Sequence, residues 1–299
     1  MSWSERLMAS LDARATVVTT TQGDVQLARE GRGPPVLVLH GGPGGFDQGL
    51  AYGRHLRDGG CELLAPSRPG YLRTPLRSGR NLSDQADLYA AILDTLEIER
   101  VAILAVSSGG PSAVHFAARH PDRAAALFLD AAILLPFQAP IGAVRRATLQ
   151  SGFIVWLSYQ IAERAPQLMV SFTVGGTSAG LDKEQKRAAT QWIKSDPARL
   201  QGIREQFASI APRQYRRDGW ANDQANEASL APLPFGNIAA PTLIAHGAND
   251  SIIPAEHATN AADKIANSEL MLVAEGHHLL SASRNYGPVS QRQLELARG

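Results

Sequence analysis

Ala105-Val106-Ser107-Ser108-Gly109-Gly110 constrains this chain more than any other stretch. Before it, Val101-Ala102-Ile103-Leu104 is a short apolar run, the pattern of a buried strand. After it, Pro111 leads into residues 112–120, which read as a helix with Pro in its first turn, where a missing N–H costs nothing. Ser107 therefore falls on a sharp strand-to-helix turn. The pattern A-x-S-x-G differs by one methyl from the G-x-S-x-G that sets a serine on such a turn. A turn this tight needs small neighbours, and Ala105 and Gly109 supply them. It lifts the hydroxyl clear of the sheet and aims a helix N-terminus at whatever meets it.

The rest of the chain alternates as that turn requires. Residues 16–20 and 25–29 flank Gln22-Gly23-Asp24, a hairpin signal at a sheet edge. Val36-Leu37-Val38-Leu39 is continuously apolar, as a parallel strand buried on both faces must be. It runs into His40-Gly41-Gly42-Pro43-Gly44-Gly45, whose glycines let the backbone approach a bound group with its N–H groups turned inward. A helix is expected over 48–58, a strand over 61–65 and a long rigid loop over 66–75. Leu82, Ala86, Tyr89, Leu93 and Leu96 make one helical face. Residues 125–129 form a strand ending at Asp130.

From Pro136 to about Pro232 the alternation stops. That segment reads as helical pieces broken at Gly152, Pro166, Gly175-Gly176, Pro197 and Pro212, and it holds Trp156, Trp192 and Trp220. Strands then return over 242–246 and 269–273, with a helix opened by Pro254 between them and another closing the chain. The expected class is α/β, with a mostly parallel central sheet flanked by helices. Residues 1–135 and 233–299 form the core, and residues 136–232 form a helical cap inserted before the last two strands. The cap tryptophans either seat the cap on the body or line an apolar pocket.

Charge and cysteine usage narrow the partners. With 29 basic and 28 acidic side chains, the net charge of +1 gives no basis for attraction to nucleic acid or an anionic membrane. One cysteine, Cys61, excludes an intramolecular disulfide and fits a reducing, cytoplasmic setting as a small core residue. The first residues lack a basic stretch followed by an apolar one, so neither a signal peptide nor a membrane span is expected.

Ser107, Asp250 and His277 each follow an expected strand, and in an open parallel sheet those loops share the edge where ligands bind. The motifs HGGPGG, PSRPGYLRTP, AVSSGG, HGANDSIIP and EGHH together make the chain resemble the α/β-hydrolase superfamily over nearly its whole length apart from the cap. That resemblance implies a serine hydrolase without cofactor or metal, acting on a small-molecule substrate. It implies Ser107 as nucleophile, His277 as base and Asp250 as the acid that orients it. The backbone N–H groups of Gly42 and Ser108 are the implied oxyanion donors. Two residues depart from the family pattern: Ala105 stands in place of Gly, and Ser67 stands where many members carry Asp.

Several positions have rivals. His278 competes with His277, which is preferred because it directly follows Gly276. Asp130 competes with Asp250, since some relatives carry the acid after the strand that follows the serine. His40 is read as a structural hydrogen-bonding residue, and His115 and His120 as ordinary helix residues. The expected activity is hydrolysis of carboxylic esters with small to medium acyl chains. A proline-iminopeptidase-like activity is the alternative, since HGGPGG is that group's oxyanion loop. It would need acidic cap residues to hold a free amine, for which Glu163, Asp182, Glu184 and Glu205 are available. A catalytically silent binding protein is the remaining alternative.

Overall fold

The apolar runs become one sheet. The computed structural model describes residues 1–138, 151–178 and 180–299. A capped helix, α1 (Trp3–Asp12), precedes β1 (Thr16–Thr20), β2 (Gly23–Gly31) and β3 (Pro35–Leu39). The expected helix over 48–58 is two short ones, α2 (Phe46–Tyr52) and α3 (Arg54–Asp58), separated at Gly53. Then follow β4 (Glu62–Pro66), α4 (Leu82–Thr95), β5 (Val101–Val106), α5 (Gly110–Arg119) and β6 (Ala124–Asp130). Among the described residues, α6 (Gly152–Arg164), α7 (Pro166–Thr177), α8 (Lys183–Lys194), α9 (Pro197–Ala208) and α10 (Arg217–Ala228) lie between β6 and β7 (Thr242–Gly247). The chain closes with α11 (Glu256–Ala262), β8 (Ser268–Val273) and α12 (Gly287–Arg298).

The eight strands lie in the order β1-β2-β4-β3-β5-β6-β7-β8. β2 runs antiparallel to β1 and β4, and every pairing from β4 through β8 is parallel. Period-two alternation distributes each strand between two cores. Leu37, Leu39, Ile103 and Leu127 pack with Tyr89 of α4 and Phe116 of α5. Val36, Val38, Leu63 and Leu104 pack on the other face with Leu50 of α2, Leu56 of α3 and Val289 of α12. Cys61 is fully buried in that second core.

The helices between β6 and β7 hold a separate small core built around Met169, Val170, Val174, Ile193 and Ile203. They are tied to the body by polar contacts. Asp47 forks to Arg216 at 2.8 and 2.9 Å, Asp223 forks to Arg68, and Glu205 pairs with Arg54. No helix among the described residues is long and apolar enough to cross a membrane.

Candidate active site

β5 delivers Ser107 at φ +53°, the left-handed region that a non-glycine residue adopts only at a cost of roughly 1–3 kcal/mol. The turn is tight because β3 and its loop press against it. A Cβ on Gly109 would collide with the Leu39 carbonyl oxygen, so that position tolerates only glycine. Ala105 is fully buried and pairs with Leu39, so the extra methyl is accommodated inside the sheet. The glycine loop after β3 reaches the same place. A Cβ on Gly41 would stand 3.1 Å from Ser107 Cβ, and one on Gly42 would stand 3.2 Å from Ser108 Oγ. The loop is held by Gly41 N donating to Gln48 Oε1 at 2.9 Å.

His40 is structural, as expected. Its Nε2 accepts from Arg68 N at 2.9 Å, so its Nδ1 carries the proton donated to Gly41 O at 2.7 Å. Burial, then the charge of Arg68, holds its pKa well below the usual histidine value.

Asp250 follows β7 and is almost surrounded by donors. Its Oδ1 accepts from Ile252 N and Ile253 N at 2.8 and 3.0 Å, and its Oδ2 accepts from His278 Nδ1 at 2.8 Å. Burial alone would raise this carboxyl, but the bond and charge of His278 and the two backbone donors bring it below the ordinary carboxylate range. The structure thus corrects the expected pairing, because Asp250 is the partner of His278 and not of His277. Consecutive side chains in a non-helical stretch diverge, so only one of two adjacent histidines faces the carboxylate.

His277 turns instead toward the end of α7. Thr177 donates its single hydroxyl proton to Thr173 O at 2.8 Å, so its oxygen is the acceptor for His277 Nδ1 at 3.1 Å. The proton therefore sits on Nδ1, and the lone pair of the buried Nε2 has no partner among the described residues. Burial, then the neighbouring His278, lowers the His277 pKa to about 4, so the ring is neutral at physiological pH. Thr177 also receives His278 N and Ser251 N on its carbonyl at 3.4 and 3.3 Å. It thereby ties the end of α7 to both loops, a role with no signal in the sequence.

The rival acid is engaged elsewhere. Asp130 accepts from Tyr286 Oη at 2.8 Å and from Gln293 Nε2 at 2.7 Å, anchoring α12 to the end of β6. Burial pushes its pKa up to about 6, against the opposing effect of those two bonds.

The helical segment sets one of the expected cap tryptophans, Trp220, beside two residues that sequence reasoning missed, Asp223 and Glu227. On α10, Trp220, Asp223 and Glu227 recur at three- and four-residue steps and share a face. A Cβ on Gly42 would stand 3.2 Å from Trp220 Cδ1. Asp223 accepts a two-pronged bond from the fully buried Arg68 at 2.8 and 2.6 Å, and a third from Tyr71 Oη at 2.5 Å. Glu227 follows Asp223 one turn later on the same face. Burial, then the charge of Asp223, pushes its pKa up to about 7, while the hydrogen bond from Ser108 and the charge of Arg68 pull the other way. Of the other tryptophans, Trp156 stacks with Phe153, and Trp192 lies under Arg199. The acidic residues considered for amine binding are engaged elsewhere or exposed. Glu163 pairs with Arg204, Glu205 with Arg54, Asp182 caps α8, and Glu184 is exposed.

Residues 34–283 match the family model described as alpha/beta hydrolase fold. An alpha/beta hydrolase fold protein from Nakamurella multipartita superposes with a TM-score of 0.89 at 37% identity, covering 95% of this chain and 99% of that one. An uncharacterized hydrolase, YcgS, from Bacillus subtilis (strain 168) is 28% identical over 89% of this chain and 92% of its own. A 2-hydroxymuconate semialdehyde hydrolase from Pseudomonas sp. (strain CF600) is 27% identical over 83% of this chain and 81% of its own.

Proposed function

The chain belongs to the α/β-hydrolase fold family, and on that premise we propose that it is a serine hydrolase cleaving carboxylic esters of small to medium acyl chains. The observation that carries this reading is Ser107 at φ +53° between β5 and α5, on the sheet edge that also carries the His278–Asp250 pair. Ser107 attacks the ester carbonyl and forms an acyl-enzyme. The backbone N–H groups of Gly42 and Ser108 receive the oxyanion. The base is the imidazole that Asp250 orients. With Nδ1–H fixed on the carboxylate, Nε2 of His278 is left to take the serine proton and return it to the leaving alcohol. Water then repeats the cycle on the acyl-enzyme. The described helices α6 to α10 act as the cap; residues 139–150 and 179 of the expected cap, 136–232, lie outside the described residues.

A second assignment of the base rests on one observation. His277 also has its Nδ1–H fixed, on Thr177, and its Nε2 lone pair has no partner among the described residues. A second assignment of the substrate follows the relative named for a semialdehyde, in which the same serine chemistry would break a carbon–carbon bond. Both are decided by kinetics. Nitrophenyl esters of increasing chain length should be turned over. Ser107→Ala should lower kcat by roughly 10⁶, the scale of a lost nucleophile, with the fold retained. Near-normal turnover in Ser107→Ala beside a large loss in Ser108→Ala would move the nucleophile by one residue. Turnover of a dienoate ring-fission substrate or a proline arylamide well above any ester would replace the ester reading.

A further inference from the structure

Asp223 and Glu227 are one helical turn apart on α10, and their carboxyls are used differently. Both oxygens of Asp223 are taken, by the fork from Arg68 and by Tyr71. Glu227 is just as buried, at 7% exposure, yet its Oε1 has no partner among the described residues. The face of α10 that carries it meets the serine turn: a Cβ on Gly42 would stand 3.2 Å from Ser108 Oγ, 3.2 Å from Trp220 Cδ1 and 3.3 Å from Tyr71 Oη, the hydroxyl that Asp223 holds. A buried acceptor without a donor is unfavourable, and such groups in native structures are commonly completed by a ligand. The neighbouring charges say which ligand fits. Arg68 is already neutralised by its fork to Asp223, so it leaves little positive field for an anion, and Asp223 repels one. Above its raised pKa of about 7 the Glu227 carboxyl is ionised and can only accept hydrogen bonds, so the preference described next belongs to alkaline pH.

We propose that Glu227 is a specificity-determining residue whose free carboxyl oxygen receives a hydrogen-bond donor, a hydroxyl or an ammonium, carried by the substrate close to the carbonyl that Ser107 attacks. This rests on the reading of Ser107 as nucleophile. Trp220, on the same face of α10 and against Gly42, supplies the apolar wall beside it. The site therefore selects against substrates bearing a carboxylate near the reacting carbon. A merely structural Glu227 would leave the choice among substrates untouched.

The test compares three nitrophenyl esters of nearly equal shape: 3-methylbutanoyl, 3-hydroxybutanoyl and 3-aminobutanoyl. Wild type, Glu227→Gln and Glu227→Leu are each assayed by kcat/KM. In the wild type, the hydroxyl ester should exceed the methyl ester by roughly tenfold and the ammonium ester by on the order of a hundredfold, as expected for a neutral and a charge-assisted bond. Glu227→Gln keeps an acceptor without the charge, so it should lose the ammonium preference and retain the hydroxyl preference. Glu227→Leu should lose both. Wild-type ratios near one, or ratios unchanged in Glu227→Leu, overturn the proposal while leaving ester hydrolysis by Ser107 intact. Should no ester be turned over, the ester reading fails by itself. Calorimetric binding of the three corresponding primary amides to Ser107→Ala, with and without Glu227→Leu, then decides the Glu227 proposal by the same ratios.

Discussion

The sheet edge and the α10 face each bring a buried carboxylate to the candidate site, in opposite settings. Asp250 is met by two backbone N–H groups and an imidazole, and its pKa falls below the ordinary range. Glu227 has an Oε1 without a partner among the described residues and a neighbouring carboxylate, and burial, then the charge of Asp223, raises its pKa to about 7. Burial raises both, so the difference lies in the donors each finds. The lesson is that a loop after a strand can wrap its own N–H groups around an acid and fix it as a permanent anion. A helix has spent those groups on its own ladder and cannot. The first arrangement suits a residue that orients an imidazole, and the second suits one that answers to a ligand.

Of the two carboxylates, the larger effect should come from removing the donor-rich one. Asp250→Asn should lower kcat on the order of 10⁴, the loss seen when an orienting carboxylate becomes an amide in a serine protease. His278→Ala should do comparable damage, while His277→Ala and Asp130→Asn cost far less. Ester kinetics on the four variants check this. The pH profile separates the two histidines independently, since the base must be neutral and activity rises as it loses its proton. With a pKa near 4, His277 as base would give kcat/KM flat from pH 5 to 8. A rise in that range that persists in Glu227→Gln and Asp130→Asn, which remove the acids raised to about 7 and about 6, counts against it.

The loop contributions were legible because strand ends leave local marks. An apolar run followed by Gly-x-x-Asp, or by Gly-His, places a residue on the ligand edge whatever happens elsewhere. The choice between His277 and His278 was not legible, because it depends on where Thr177, a hundred residues away, docks. Asp223 and Glu227 were hidden for a similar reason. Their spacing shows a polar helix face, but only the fold shows that Arg68 and Ser108 lie beneath it. Glu163 and Glu205 carried the same sequence signal and are spent on ion pairs.

The α10 side can be broken through its anchor. Asp223→Ala leaves the Arg68 guanidinium, about 1% exposed, without its carboxylate. Such a change typically costs about 3–5 kcal/mol, and denaturant unfolding should report it. A loss well under 1 kcal/mol would mean that the segment rides on the body without this fork.

The smallest effect concerns the acid that neither site uses. Asp130 has its pKa raised to about 6 in the folded protein, against about 3.8 for an ordinary aspartate. The folded state therefore holds its proton longer than the unfolded state. The stabilising contribution of the neutral acid is complete below pH 4 and is lost as pH rises through 6. A neutral Asp130 can donate to Tyr286, which then donates to Gln293 Oε1 at 3.1 Å, and an amide can do the same. Asp130→Asn should thus raise stability at pH 8 by about 1–3 kcal/mol and leave it nearly unchanged at pH 4. Equal effects at the two pH values would contradict the raised pKa.

The central claim is that Ser107 is the nucleophile, and its most direct test is covalent. Incubating the protein with a fluorophosphonate and reading intact and peptide masses should give one adduct, mapped to Ser107. That adduct should form in His277→Ala, slow sharply in Asp250→Asn and His278→Ala, and be absent in Ser107→Ala. An adduct on Ser108, or none at all on the folded wild type, would contradict the account.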